Sequence, residues 1–509
     1  MKRYFTIALL LYVNMASATV PAAKDDRSQS AKALLRQCIT KMGGIDLLRG
    51  IEALSYESVK HTFFHRVEIS EALPQIIVYE NNDVVLQPKN YNLHEKSNWR
   101  WTDSAAQRNS QLTLTPQGGY SESDNKKTAI TADGFYKALD IFAANPISVL
   151  LSGFEASDLI LEMPTDESDV VSFHQGIYGQ QVATTIGISK KTHLLQWIET
   201  EHSYSQDVFA SFWGRTVKKV VLSGWTLMTN GLYFPTKWQA STNGTIDGQE
   251  SLFNVKVDSD VPAAEFAIPE EFKNSFDVLH MTDEALALRN HGDGKHLDVH
   301  DGVLMLPGTS GAYNSLLVKH DNGIVVIDAP YTNANSDYVI AYAKKFFPGT
   351  PITSVVSTNQ LQFHLGGLPA YLKVHAPIYV LDSNVALMRR FLAAQVRVGE
   401  IHDSDIKLRT VKERTEIGSG ENQIILIPFR GTASARMMAV YFPAIKLLYC
   451  SDLYLPQQWG GQYYTEHLAE IRDLIDREHI DVVQVSGISM IPHVWKDLSA
   501  LIPVTQTQS

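Results

Sequence analysis

Cysteine is scarce here, with two residues in a chain of 509. That excludes a small disulfide-stapled scaffold, in which several bridges stand in for a core. Basic runs are absent as well: no stretch of Lys or Arg exceeds a pair, and Asp and Glu outnumber Lys and Arg by 55 to 44, for a net charge of −11. Such a balance disfavours a general nucleic-acid binder, because displacing counterions from phosphates requires a basic face. Beyond Val13 no stretch reaches the ~20 apolar residues of a membrane-spanning helix. Wholesale disorder is also excluded, since apolar residues make up 44% and aromatics 10% of the chain, enough to build real cores.

The N-terminus reads as an address. Lys2 and Arg3 precede an apolar run, Tyr4 to Val13, and Ala16-Ser17-Ala18 fits the small-residue rule for signal cleavage. Residues 1–18 are therefore expected to be a secretory signal, and the protein periplasmic or secreted. Cys38 and Cys450 lie far apart and are expected as two separate buried thiols.

Two rhythms follow. Residues 28–50 read as a helix stopped by Gly43-Gly44, with a second short helix over Ile45–Gly50. From Ala53 to Phe266 short alternating segments dominate, among them Gln75–Tyr79, Gln111–Thr115, Gln181–Ile188 and Leu252–Val257, with one helix over Thr131–Leu151. This predicts a long curved antiparallel sheet with packed helices, an α+β domain over residues 28–275. Trp225–Trp238, with Gly231-Leu232-Tyr233-Phe234-Pro235, and then Phe266-Ala267-Ile268-Pro269 resemble the lipoprotein-carrier (LolA/LolB-like) sheet. That resemblance implies an open apolar half-barrel, in which Trp99, Trp101, Trp197, Trp213, Trp225 and Trp238 would line a cavity for an acyl chain. The competing reading has these rings filling the core between sheet and helix.

After a charged, proline-containing connection over 262–289, strands alternate with helices, which implies layered α/β architecture over residues 276–509. Expected strands include Ile324–Asp328, Ile352–Ser357, Met438–Phe442 and Leu447–Cys450, and expected helices include Ser336–Phe347, Gly367–Val374 and Thr465–Arg477.

Three landmarks in this half carry a family resemblance. Gly323-Ile-Val-Val-Ile-Asp328-Ala-Pro330 is an apolar strand ending in Asp; Thr358-Asn-Gln-Leu-Gln-Phe-His364-Leu-Gly366-Gly367 follows a second strand; Tyr441-Phe-Pro443 leads through a turn to Ser451-Asp452. In order and spacing they resemble the motifs of metallo-β-lactamase-fold hydrolases, which implies a four-layer αβ/βα sandwich. The family's chemistry uses imidazoles and carboxylates to hold zinc and deprotonate its bound water near neutral pH. Aligned without a gap on Thr358 and Gly366-Gly367, its first His falls on Asn359, its second on Leu361 and its Asp on Phe363, while the last His survives as His364. No His stands near Thr432–Ser434, and the late His falls on Ser486; Asp452 persists.

One His and one Asp do not make a zinc site, and hydrocarbon side chains at ligand positions disfavour a dication. The reading is therefore an exported pseudoenzyme with no metal or other cofactor. It would bind a small apolar or amphipathic ligand in a pocket formed by Asn359, Leu361, Phe363, Ser486 and Asp328, and His364 and Asp452 would be the remnants through which any catalysis ran. A Ser486-His364-Asp452 relay is geometrically conceivable. A second reading is an atypical metal-dependent hydrolase of an ester, lactone or lactam. It would need rescue ligands from His291, His296 or His300, or from the loop around His402; the alternation of His296, Asp298 and His300 is that of one strand face. A third reading is an envelope scaffold for a protein partner.

Overall fold

A computed structural model describes residues 20–63, 76–101, 107–203, 215–242, 244–257, 261–274, 276, 295–307, 313–330, 333–397, 401–431, 437–452 and 465–503. The signal segment, residues 1–18, lies outside the described residues.

Between Leu54 and Val257 the period-two pattern builds a thirteen-stranded, wholly antiparallel sheet. Strand Leu54–Phe63 sits at its centre, paired on one side with Ile76–Gln87 and on the other with Thr245–Val257. The first and last strands thus meet, and the two edges are the short Lys126–Ala129 and Ile160–Leu161. One sheet face is covered by helices. In helix Val20–Lys41, Ala31, Leu35, Cys38, Ile39 and Met42 recur at helical spacing and are buried. They join one core with Leu86, Leu93, Phe135, Phe142, Ile186 and Phe234. Fully burying each such side chain is worth about 1.5–3 kcal/mol.

The helix expected over Thr131–Leu151 is two helices, Ala132–Ala144 and Pro146–Glu155. Asn145 divides them. A residue before proline is pushed out of the helical region, and here ψ is 121°. The Asn145 side-chain oxygen accepts from the backbone N–H of Ile147 (3.0 Å) and Ser148 (3.2 Å), and Pro146 occupies the first helical position. The Asn-Pro pair was a legible break.

The space between this sheet and helix Ala132–Ala144 differs from the expected acyl-chain cavity. Trp238 lines it, but so do Lys60, Glu95, Lys137, Lys218 and Glu250. Trp197 instead lies under Lys219 (3.8 Å) and Trp99 under Arg108 (5.3 Å), while Trp225 packs partly buried on the core. The side chains of Trp101 and Trp213 lie outside the described residues.

The C-terminal half forms two further sheets. In the first, of seven strands, Leu297–His300, Val303–Leu306, Ser315–His320 and Gly323–Ile327 are antiparallel, then Ile352–Val356, Ile378–Leu381 and Leu408–Val411 continue in parallel. The second has six strands, in the order Thr415–Ile417, Ile424–Phe429, Met437–Phe442, Leu447–Tyr449, Gln484–Gly487 and Met490–Val494. Three cores follow from strict alternation. Leu304, Leu317, Ile324 and Val326 pack on helices Asn333–Phe346, Leu368–Lys373 and Val385–Arg397. Val303, Leu316, Val325 and Ile327 meet Ile424, Leu426, Met438 and Tyr449 of the other sheet. Ile425, Ile427 and Leu448 face helix Thr465–Glu478. Gly323–Ile327 is apolar throughout because both its faces are covered.

Both cysteines are free and buried, as expected; burial pushes the Cys38 thiol up to about 12.

Replacing Asn145 by Ala should cost about 1–2 kcal/mol, the usual loss for a good N-cap. Urea denaturation would measure it. An unchanged midpoint would mean that proline alone, not the amide, ends the preceding helix.

Candidate functional site

Where the two C-terminal sheets meet, four chain segments converge. The apolar strand Gly323–Ile327 ends at Asp328, whose backbone is left-handed (φ 61°). The neighbouring parallel strand Ile352–Val356 leads to Thr358 and Asn359. The short helix Gln362–Leu365 carries His364. From the other sheet, Leu447–Tyr449 leads to Ser451, also left-handed (φ 47°), and Asp452. Holding a non-glycine residue in this region costs of order 1–3 kcal/mol, and such positions persist where surrounding contacts over-determine them.

Those contacts centre on His364, whose side chain is 0% exposed. Its Nδ1 lies 3.0 Å from Asp328 Oδ2 and its Nε2 3.0 Å from Asp452 Oδ1. Asp328 also accepts from the backbone N–H of Thr358 (2.8 Å), from the Thr358 hydroxyl (2.8 Å) and from the Tyr449 hydroxyl (2.8 Å). Asp452 accepts from the Asn359 amide (2.7 Å). The Thr358 hydroxyl further meets Ser451 Oγ at 2.9 Å, so the network runs from one sheet to the other. Backbone bonds fix the frame: Ala329 N–H donates to the His364 carbonyl (2.9 Å), and Met438 N–H to the Thr358 carbonyl (2.8 Å).

Burial by itself pushes the imidazole toward its neutral form. The charges and hydrogen bonds of Asp328 and Asp452 overcome that and lift its pKa to about 10. His364 is thus an imidazolium at neutral pH, with an N–H directed at each carboxylate. Zinc requires three or four donors converging on one point, and this donor set does not fit it: the two carboxylates bind opposite ends of the ring. Among the described residues no group of three or more His, Cys, Asp or Glu is placed to hold a metal.

The expected ligand pocket is corrected by the same geometry. Asp328, Asn359 and Ser486 are at most 1% exposed, and Leu361 is buried in the core between the sheets. Among the described residues these side chains are closed to water. The Phe363 side chain lies outside the described residues. The Ser486-His364-Asp452 relay does not form, since both imidazole nitrogens face carboxylates and Ser486 Oγ is buried with no hydrogen-bond partner among the described residues. Among the described residues the expected rescue ligands do not reach His364. His296 contacts the Tyr342 hydroxyl (2.6 Å) and Asp298 (3.2 Å). His300 faces Glu421 at 3.5 Å, and His402 is exposed. His291 lies outside the described residues. Sequence reasoning passed over Tyr449, Ser451 and Thr358 as functional groups. A lone hydroxyl in the otherwise apolar Leu447-Leu448-Tyr449 was the available signal.

No protein-family model and no curated protein matches the chain. Solved structures do, over about two fifths of its length. An inverting sec-alkylsulfatase from Pseudomonas sp. is 16% identical, with a TM-score of 0.31, over 41% of this chain and 40% of that one. A metallo-β-lactamase from Pontibacter korlensis is 18% identical, with a TM-score of 0.33, over 42% of this chain and 99% of that one. One from Hirschia baltica is 14% identical, with a TM-score of 0.30, over 40% and 94%. The chain spans well under two thirds of the alkylsulfatase. Overlaps of this quality carry no argument about chemistry, and the lipoprotein-carrier resemblance finds no support among them. The mixed α/β architecture rests on the strands and cores described above.

The elevated pKa makes a signed prediction. A group raised on folding, from 6.5 to about 10, contributes stability that is complete below pH 6.5 and is lost as pH rises through about 10. Urea stability of the native chain, taken relative to His364→Gln, should therefore be greatest at about pH 6 and fall steadily toward pH 10. At neutral pH the substitution should cost about 3–5 kcal/mol, as for other broken buried ion pairs. A difference that stays flat over that range would show that the ring is buried neutral.

Proposed function

We propose that the C-terminal half is a four-layer αβ/βα sandwich of the metallo-β-lactamase type, in which a protonated histidine occupies the place where family members hold cations. The protein is then an exported, non-catalytic binding protein rather than a hydrolase. One observation carries this reading: both nitrogens of His364 are committed to carboxylates, at 3.0 Å each. With no free donor there, water has nothing to lower its pKa toward neutrality, and the family's nucleophile is not generated. The left-handed backbone at Asp328 and Ser451 fits the same view, because the geometry of a charged centre is retained although its chemistry has changed. Ligand binding then falls to a part of the chain other than this closed junction.

Elemental analysis of the full chain, expressed with and without added zinc, tests the reading. It should return under about 0.1 zinc per chain, where an occupied family site would give one or two. Chelation should leave the melting temperature unchanged, and ester, lactam and phosphodiester substrates should not turn over. Stoichiometric zinc that disappears in His364→Ala, or zinc-dependent turnover by the native chain, would reverse the assignment.

A further inference from the structure

The inner face of the thirteen-stranded sheet changes character along its strands. Near Leu54 and Leu86 it is apolar; further along strand Leu54–Phe63, Ser58 and Lys60 turn inward, with Glu80, Asn82 and Glu95 on the neighbouring strands. Helix Ala132–Ala144 lies across this polar stretch and encloses a cavity of about 350 Å³, the size of a small-molecule site.

Buried charges must be matched, and here the matching is incomplete in one sign. The three lysines that line the cavity are all committed. Lys137 pairs with Glu95 (2.8 Å), Lys60 lies 3.9 Å from Glu80, and Lys218 pairs with Asp140. Despite burial, Lys218 and His202 draw the Asp140 carboxyl down to about 2, so that pair stays fully ionised. Two lining carboxylates, Asp247 and Glu250, form no ion pair within 4 Å among the described residues. Asp247 Oδ1 is buried and accepts no hydrogen bond among them. Neither does the Oδ1 of Asn82, a residue 3% exposed whose amide nitrogen donates to Ser58 at 3.3 Å. Burial raises the Glu250 carboxyl, although Lys60 and a hydrogen bond from Ser58 favour its charged form. All the surplus groups are therefore acceptors, and the rings of Tyr56, Tyr136 and Trp238 line the same space.

We propose that this cavity binds a small organic cation carrying a primary amine or guanidinium, received by Asp247, Glu250 and the Asn82 carbonyl oxygen, with the aromatic walls adding cation–π attraction. An anion would meet two like charges. A neutral polar molecule would leave those charges uncompensated, and a hydrocarbon chain would leave every acceptor unsatisfied.

Calorimetry on the full chain tests this with four probes of similar length: 1,4-diaminobutane, agmatine, 1,4-butanediol and succinate. The amines should bind saturably while the diol and the diacid do not. Glu250→Gln and Asp247→Asn should each weaken amine binding by about tenfold, equivalent to 1.4 kcal/mol. The comparison of amine with diol uses the native protein alone, so it decides the matter even where a variant fails to fold. Absence of heat from either amine up to about 10 mM, a range covering even weak complexes, overturns the proposal. Binding of succinate or the diol as tight as that of the amines overturns it too, as does amine binding unchanged in both folded variants.

Discussion

A charge taken out of water must find its opposite within a few ångströms, and in the C-terminal half of this protein one such requirement organises the junction of two sheets. Asp328 comes from the seven-stranded sheet and Asp452 from the six-stranded one. The His364 imidazolium lies between them and answers both. Removing the histidine would leave two carboxylates facing one another in a dry interior, where like charges are most costly. Thr358, Asn359, Tyr449 and Ser451 add neutral hydrogen bonds that share out the remaining negative charge. A proton on a ring thus performs the cohesive part of what a cation does.

Much of this half was legible from residues alone. Gly323–Ile327 is apolar at every position, which a strand covered on both faces must be, and its terminal Asp328 marked a strand end. The family resemblance over Thr358 to Gly367 put His364 in one site with Asp452. Less legible was the consequence. Asn359, Leu361 and Phe363 at ligand positions suggested a vacated pocket, whereas the junction is closed, with Asn359 bonded to Asp452 and Leu361 withdrawn into the inter-sheet core. Linear spacing says which side chains approach one another; it does not say whether space is left between them.

The N-terminal half was harder to read for a different reason. Alternation finds a strand and assigns its apolar positions to the inside. On strands Leu54–Phe63 and Ile76–Gln87 that assignment fails part-way, because Lys60, Glu80 and Asn82 also point inward. Charged residues at period two look like a solvated face, and nothing in one strand reveals that Glu80 is answered by Lys60 on the neighbouring strand and by Lys137 on a helix far along the chain. The tryptophans misled in the same way, since ring content predicts apolar burial and is silent about which face each ring lies on.

The central pairing of Leu54–Phe63 with Thr245–Val257 bears on how the chain is made. Its seam joins segments nearly two hundred residues apart, so a ribosome must release about half the polypeptide before the middle of the sheet can zip shut. Until then strand Leu54–Phe63 has one neighbour and an open flank, the kind of surface on which stray strands dock. Once the seam forms, the margins among the described residues are a four-residue strand with two lysines and a two-residue strand, both short templates for pairing. Vulnerability is thereby confined to synthesis, and the finished sheet offers its neighbours almost nothing to extend.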